Sequence, residues 1–262
     1  MAEQRFAGQT VMITGAAGGF GAEAARKFAA LGARLALSDR DESGLERIRA
    51  KLQDTGADVL IEAYDVGNED QTKAHIDQIL ERFGSLDIAL NNAGICHDLK
   101  PLTQLAVEDL DRMFAVNVRG VFLGMKYQIP VMAKAGRGAI INIASAAGLV
   151  GAGMLSAYAA SKHAVVGLTR SAADETGRSG LRINAVCPSF AQTSMYLSFS
   201  EALAESQNRP ASEIDAAFTK RSPMGRVIRS DEVISAVLWL ADPNNTAVHG
   251  QAIPVDGGLT AV

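Results

Sequence analysis

The sequence predicts an α/β protein, a doubly wound parallel sheet of seven strands with helices on both faces. Three observations carry this. Short aliphatic runs alternate along the chain with longer stretches of helical periodicity. The runs Val11-Met12-Ile13, Leu35-Ala36-Leu37 and Ile140-Ile141 are apolar at consecutive residues, as strands covered on both faces require. Glycines cluster directly after the first run, where a strand-to-helix turn belongs.

In chain order the strands are expected at Thr10 to Thr14, Arg34 to Ser38, Val59 to Ala63, Ile88 to Asn91, Ala139 to Ile143, Leu181 to Val186 and Gln251 to Val255. Helices are expected at Phe20 to Leu31, Glu42 to Gln53, Glu69 to Phe83, Leu105 to Met132, Leu155 to Thr176 and Asp231 to Ala241. Gly32 and Gly84 follow the first and third helices, where a left-handed terminal residue is favoured, and Ser230-Asp231 precedes the last. Such alternation, with right-handed crossovers, gives a parallel sheet. The pattern breaks once, between Ser189 and Pro223, where Met195, Tyr196 and Phe199 mix with Ser, Gln and Asn. Two short helices forming a lid or binding loop are expected there. With 262 residues and no repeat, low-complexity tract or Pro/Ser-rich linker, the chain reads as one domain, 1–262.

Charge and composition narrow the partners. A net charge of -4 without a Lys/Arg run excludes a nucleic-acid footprint or an anionic membrane surface, leaving small molecules. The polar stretch Met1 to Gly8 does not read as a signal peptide, and no apolar segment approaches the ~20 residues of a spanning helix. Two distant cysteines, Cys96 and Cys187, fit a reducing cytoplasm. The four histidines are scattered, so no metal is expected.

The segment from Thr14 to Gly21 carries Gly15, Gly18, Gly19 and Gly21 and opens a helix at Phe20. Glycine lets backbone approach a pyrophosphate, and free amides at a helix N-terminus favour that anion. Asp39 ends the second strand about twenty residues on, where an acid can accept ribose hydroxyls and repel a 2'-phosphate. NAD is therefore favoured over NADP. Arg40 works against this preference, since a guanidinium there could meet the phosphate.

Tyr158 and Lys162 stand one helical turn apart on a common face. A phenol is a poor base near neutrality, and an adjacent ammonium favours its phenolate. Ser145 follows the fifth strand and Asn91-Asn92-Ala93-Gly94 ends the fourth, at the carboxyl edge where such sheets place ligands. Asn117 interrupts a long helical stretch, pointing to a polar role, a kink or a satisfied structural amide.

Together these motifs resemble the short-chain dehydrogenase/reductase family in its small single-domain form. The resemblance runs from Thr10 to Gly258 and includes Asp65-Val66, Pro188 and Val255-Asp256-Gly257-Gly258. It implies a Rossmann fold in which Tyr158 exchanges the proton, Ser145 orients the substrate oxygen, Lys162 binds the nicotinamide ribose and Asn117 supports a water relay. It further implies that Asp65 and Val66 flank the adenine, that Asn91, Ala93 and Gly94 line the cofactor beside Pro188, that Thr193 reaches the nicotinamide amide, and that the protein is a homotetramer. Gly15, Gly19 and Gly21 fit the small form, whereas Gly15, Gly18 and Gly21 fit the larger sugar-epimerase branch, for whose extra domain the chain has no room. Ser189 departs from the usual glycine after Pro188.

An NAD-dependent oxidoreductase acting on a secondary alcohol or ketone is the leading expectation. A ketoacyl or quinone reductase using NADPH and a non-catalytic dinucleotide sensor are the alternatives. The substrate pocket is expected from His97, Leu99, Ala146, Leu149, Met154, Leu155, Met195, Tyr196 and Phe199, whose largely apolar character favours a cyclic or aromatic alcohol over a phosphorylated sugar.

Overall fold

A computed structural model of the protein describes residues 4–262, the side chain of Ser206 excepted. Part of the reading of the polar N-terminal stretch falls on residues 1–3, outside the described residues. The strands are β1 (Thr10–Thr14), β2 (Arg34–Asp39), β3 (Val59–Ala63), β4 (Ile88–Asn91), β5 (Gly138–Ile143), β6 (Leu181–Pro188) and β7 (Ala252–Val255). They form one parallel sheet in the order β3-β2-β1-β4-β5-β6-β7, and their bounds depart from the sequence reading by two residues at most. The chain winds outward from β1 to β3 and crosses back to β4, so a crevice opens at the carboxyl ends of β1 and β4.

The helices are α1 (Gly19–Ala30), α2 (Glu42–Leu52), α3 (Glu69–Phe83), α4 (Val107–Met113), α5 (Arg119–Ala135), α6 (Ser156–Thr176), α7 (Ser194–Gln207), α8 (Ala211–Thr219) and α9 (Ser230–Ala241). Strand alternation divides the core into two layers. Val11, Ile13, Leu35 and Leu37 face one, with Phe28 of α1 and Val237 of α9; Met12 and Ala36 face the other, with Ile79 of α3 and Val165 of α6. Most helix ends follow their local chemistry: Asp41, Asn68 and Thr193 cap α2, α3 and α7 through their side chains, and Gly84 and Gly136 close α3 and α5 with φ of 75° and 67°.

Two expectations need correction. The helix predicted from Leu105 to Met132 starts at Val107, is interrupted in its hydrogen-bond pattern by a π-turn at Phe114–Val118 that joins α4 to α5, and runs on to Ala135 through Pro130. The extra residue in that turn swings Asn117 inward to a buried position. Between Ser189 and Pro223 there are indeed two helices, but α7 is 14 residues long rather than short. Residues just outside α7 and α8 are stapled: Ala191 bridges Ile228, with Gln192 N–H donating to Ile228 O at 2.8 Å and Ile228 N–H to Phe190 O at 2.9 Å.

Candidate active site

A cleft of about 540 Å³ opens at the carboxyl ends of β1, β4, β5 and β6, beneath α7 and α8. Its floor is the glycine loop. Gly15 has φ +66° and lies so close to the next strand that a Cβ would fall 2.8 Å from Ala93 Cα. Gly19 holds φ +52°, whereas Gly18 is extended, so the left-handed positions match the Gly15-Gly19-Gly21 spacing. No side chain caps α1 and no acid occupies its first turn, so its first amides are free to meet an anion. A Cβ on Gly21 would lie 2.1 Å from Gly15 O, a backbone atom that cannot yield locally. Gly21→Ala is therefore expected to destabilise the fold by about 3 kcal/mol and to weaken dinucleotide binding, seen as a lower melting temperature that NADH no longer raises.

Asp39 lines the cleft beside Phe20, its Oδ2 accepting Ala17 N–H at 3.1 Å and its Oδ1 accepting Asp41 N–H at 3.1 Å. Arg40 is exposed and outside the cleft walls, because the next residue of an extended chain points to the opposite side. Asp65 and Val66 also stand outside the walls. Asp65 closes its own turn by accepting Gly67 N–H at 2.9 Å, and Val66 packs on Gly120 of α5.

Asn91 is corrected outright. Its side chain is buried in an amide cluster, donating to Gln128 Oε1 at 3.0 Å and Asn142 Oδ1 at 2.9 Å, rather than lining the cleft. Its neighbour Asn92 takes that place, with Nδ2 donating to the carbonyls of Thr14 and Gly15 at 2.9 and 3.0 Å. Ala93, Gly94, Pro188 and Thr193 line the cleft.

Ser145, Tyr158 and Lys162 converge at its centre. Lys162 is buried, donates from Nζ to Ile143 O at 2.9 Å, and places Nζ 5.7 Å from the Tyr158 ring centroid. Burial pushes the Lys162 ammonium down to about 8. Burial also drives the Tyr158 phenol well above its ordinary value, with Cys96 adding to the rise and the Ser145 hydroxyl opposing it. Desolvation of the tyrosine outweighs the opposing Ser145 hydroxyl in the free protein. Ser145 Oγ accepts Ala147 N–H at 3.1 Å and reaches Pro188 O only at 3.4 Å, so its proton is weakly held.

Asn117 does not touch the cleft. It clasps the Ile95 backbone, accepting Ile95 N–H at 2.8 Å and donating to Ile95 O at 3.0 Å and Ser161 Oγ at 3.0 Å. A Cβ on Gly94 would sit 3.2 Å from Asn117 Oδ1 and 3.4 Å from Lys162 Nζ, so the two polar groups crowd the same glycine.

Of the expected substrate residues, Leu99, Ala146, Leu155, Met195, Tyr196 and Phe199 line the cleft. The Tyr196 hydroxyl is committed to Asp215 of α8, which also accepts Ser200 Oγ at 3.2 Å, so only its ring faces a ligand. His97 and Leu149 do not line it. His97 is buried with Nδ1 against Asp98 O at 2.7 Å while Cys96 takes the wall, and Leu149 packs into the core beside Val150, which lines the cleft instead. Met154 is half-exposed and likewise off the wall. Phe190, Phe218 and Arg221, unflagged in the sequence, complete the lid side. Phe218 is the hub of the aromatic packing there, 4.6 Å from Phe190 and 5.5 Å from Phe199 between ring centroids. Among the described residues no three His, Cys, Asp or Glu converge as a metal site, and no helix is long and apolar enough to cross a membrane.

Comparison with known proteins gives a consistent picture. A family model described as enoyl-(acyl carrier protein) reductase matches residues 15–260. Levodione reductase of Leifsonia aquatica is 38% identical over 259 residues, covering 98% of this chain and 96% of its own. Cis-4-hydroxycyclohexanecarboxylate dehydrogenase of Sinomonas cyclohexanicum is 38% identical, with 99% of each chain covered. The crystal structure of levodione reductase superposes with a TM-score of 0.92 at 36% identity, covering 98% of this chain and 99% of that one. A Brucella melitensis 3-ketoacyl-(acyl-carrier-protein) reductase complexed with NADH gives 0.86 at 32%, covering 97% and 99%. Likeness of this extent in sequence and in fold leaves one conclusion: the chain belongs to the short-chain dehydrogenase/reductase family.

Proposed function

We propose that the protein is an NAD-dependent dehydrogenase that interconverts a secondary alcohol and a ketone on an alicyclic ring. The observation that carries this reading is the convergence of Ser145, Tyr158 and Lys162 in one cleft with a glycine-loop cradle at one side and an apolar, aromatic wall at the other. Relatives named for levodione and for a hydroxycyclohexanecarboxylate support the ring. The cradle fits a dinucleotide because Gly15 and Gly21 leave room that a Cβ would fill, and the α1 amides are free for its pyrophosphate.

Nicotinamide, when bound, takes or gives the hydride. The chain supplies the proton and the geometry. The Tyr158 hydroxyl donates its proton to the carbonyl oxygen during reduction, and its phenolate accepts the carbinol proton during oxidation. Ser145, loosely held by Pro188 O, turns its hydroxyl to the same oxygen and fixes its orientation. Lys162 uses one N–H on Ile143 O and has two left for ribose hydroxyls, while its charge favours phenolate. Asn117 acts as a positioning residue, holding the Ile95 segment against Gly94 and Lys162, where a water relay would pass the proton outward.

Asp39 supports NAD over NADP: its carboxylate is held at the cleft wall by two backbone amides, where a 2'-phosphate would meet its charge. Asp39→Asn keeps the Ala17 bond and removes the charge. The ratio of kcat/KM with NAD to that with NADP is expected to fall ~10-fold or more. A strong native preference for NADPH with acyl thioesters would instead point to the reductase alternative. The reading includes a cytoplasmic homotetramer; exposed Val107, Leu110, Phe114 and Phe122, along α4, the π-turn and α5, offer an apolar surface for self-association.

Turnover of a cyclic alcohol panel, followed by nicotinamide absorbance, tests the proposal. Binding of NADH without oxidation of any ring alcohol would refute it.

A further inference from the structure

The lid presents a charge to the cleft that hydride transfer does not use. Arg221 follows α8 on a fixed turn. Ser222 is buried, its N–H donates to Thr219 O at 2.9 Å, and its Oγ donates to the carbonyls of Asp256 and Gly257 at 3.3 and 2.9 Å. The backbone beside Arg221 is thus pinned, while among the described residues the Arg221 side chain has no hydrogen bond, ion pair or ring partner. Arg226 and Arg229, a few residues on, are both paired with Glu232.

Three charged residues line the cleft: Asp39, Lys162 and Arg221. The first is tied to the glycine loop and the second to Ile143 O. Arg221 is the one charge on the lid side, and the aromatic group of Phe190, Phe199 and Phe218 lines the same wall. A saturated ring fits against those faces, and a guanidinium presents a planar fork of donors matched to a carboxylate. Arg221 is itself exposed, so the strength of such a pair rests on the geometry of the fork.

We propose that Arg221 is a specificity-determining residue that binds a carboxylate carried by the substrate ring, making the substrate an alicyclic hydroxy or oxo acid. This deepens the proposed function and rests on it for the chemistry at the carbinol. The pairing itself requires no turnover.

The test measures, by calorimetry on the protein saturated with NADH, the binding of cyclohexanecarboxylate and of uncharged cyclohexanecarboxamide. Wild type, Arg221→Met and Arg221→Lys are compared, each checked by thermal melting. The wild type is expected to prefer the acid by ~10-fold or more, as charge-assisted hydrogen bonds give. Arg221→Met abolishes that preference and Arg221→Lys retains part of it, with NADH affinity equal in all three. Equal binding of acid and amide by the wild type overturns the proposal, as does a preference that survives Arg221→Met. Weakened NADH binding in Arg221→Met also overturns it, reassigning the guanidinium to a cofactor phosphate. Neither probe carries a carbinol. If the acid preference holds while ring alcohols fail to react, the functional reading falls and Arg221 keeps its role; the reverse result separates them equally well.

Discussion

Tyr158→Phe is expected to fold, bind NADH as the parent does, and oxidise a ring alcohol ~10³-fold more slowly, the scale of a lost general acid/base. Phenylalanine preserves the ring that packs near Lys162 Nζ, so the loss is confined to one hydroxyl. Because burial raises the phenol, the proton-bearing form dominates in the free protein near neutrality. That form is the donor needed for reduction. Oxidation needs phenolate, so kcat/KM for alcohol oxidation rises with pH while that for ketone reduction falls. Stopped-flow or steady-state nicotinamide absorbance reads both. Retention of more than a tenth of the parent rate in the phenylalanine variant removes Tyr158 from the chemistry.

Lys162→Met is expected to abolish turnover and yet stabilise the protein. The ammonium sits at about 8 in the fold against an ordinary 10.5, so the folded state binds it less well than the unfolded chain does. Below pH 8 both states carry the proton and the full cost is present, an upper figure of about 3 kcal/mol. Between pH 8 and 10.5 the unfolded chain holds more protons, so wild-type stability rises with pH across that window. Methionine removes the charge and keeps the volume, at the cost of the bond to Ile143 O, about 1 kcal/mol. The net gain at pH 7 is ~1–2 kcal/mol, or a few degrees of melting temperature. The variant also loses the stability rise above pH 8. A variant that melts lower than wild type at pH 7 and keeps the same rise would show that Lys162 carries no such penalty.

The sheet was legible because strands buried on both faces read as unbroken aliphatic runs, and pairing partners added only terminal residues such as Pro188, which sits opposite Val255. The glycine loop, Ser145, Tyr158 and Lys162 were legible because each lies at a strand end or one helical turn from its neighbour. What escaped depends on contacts distant in sequence. The break at Asn117 needs Ile95 as its partner, 22 residues away. Asn91 and Asn92 are chemically identical side chains on a strand end, and only the position of Gln128 and Asn142 decides which is core. His97 and Cys96 pose the same question of alternation. Phe190, Phe218 and Arg221 become neighbours only when α7 and α8 fold over the cleft, and no local spacing announces that.

The staple between Ala191 and Ile228 has a consequence for how this scaffold diversifies. After β6 the chain passes through α7 and α8 and comes back beside its own exit point before α9, so the segment between is a cassette whose two ends are held together. Doubling the length of such a segment adds only ~0.6 kcal/mol of closure entropy. Exchanging or lengthening residues between Met195 and Arg221 can therefore retune which ring is admitted while the strands beneath, and the proton-transfer group built on them, stay undisturbed.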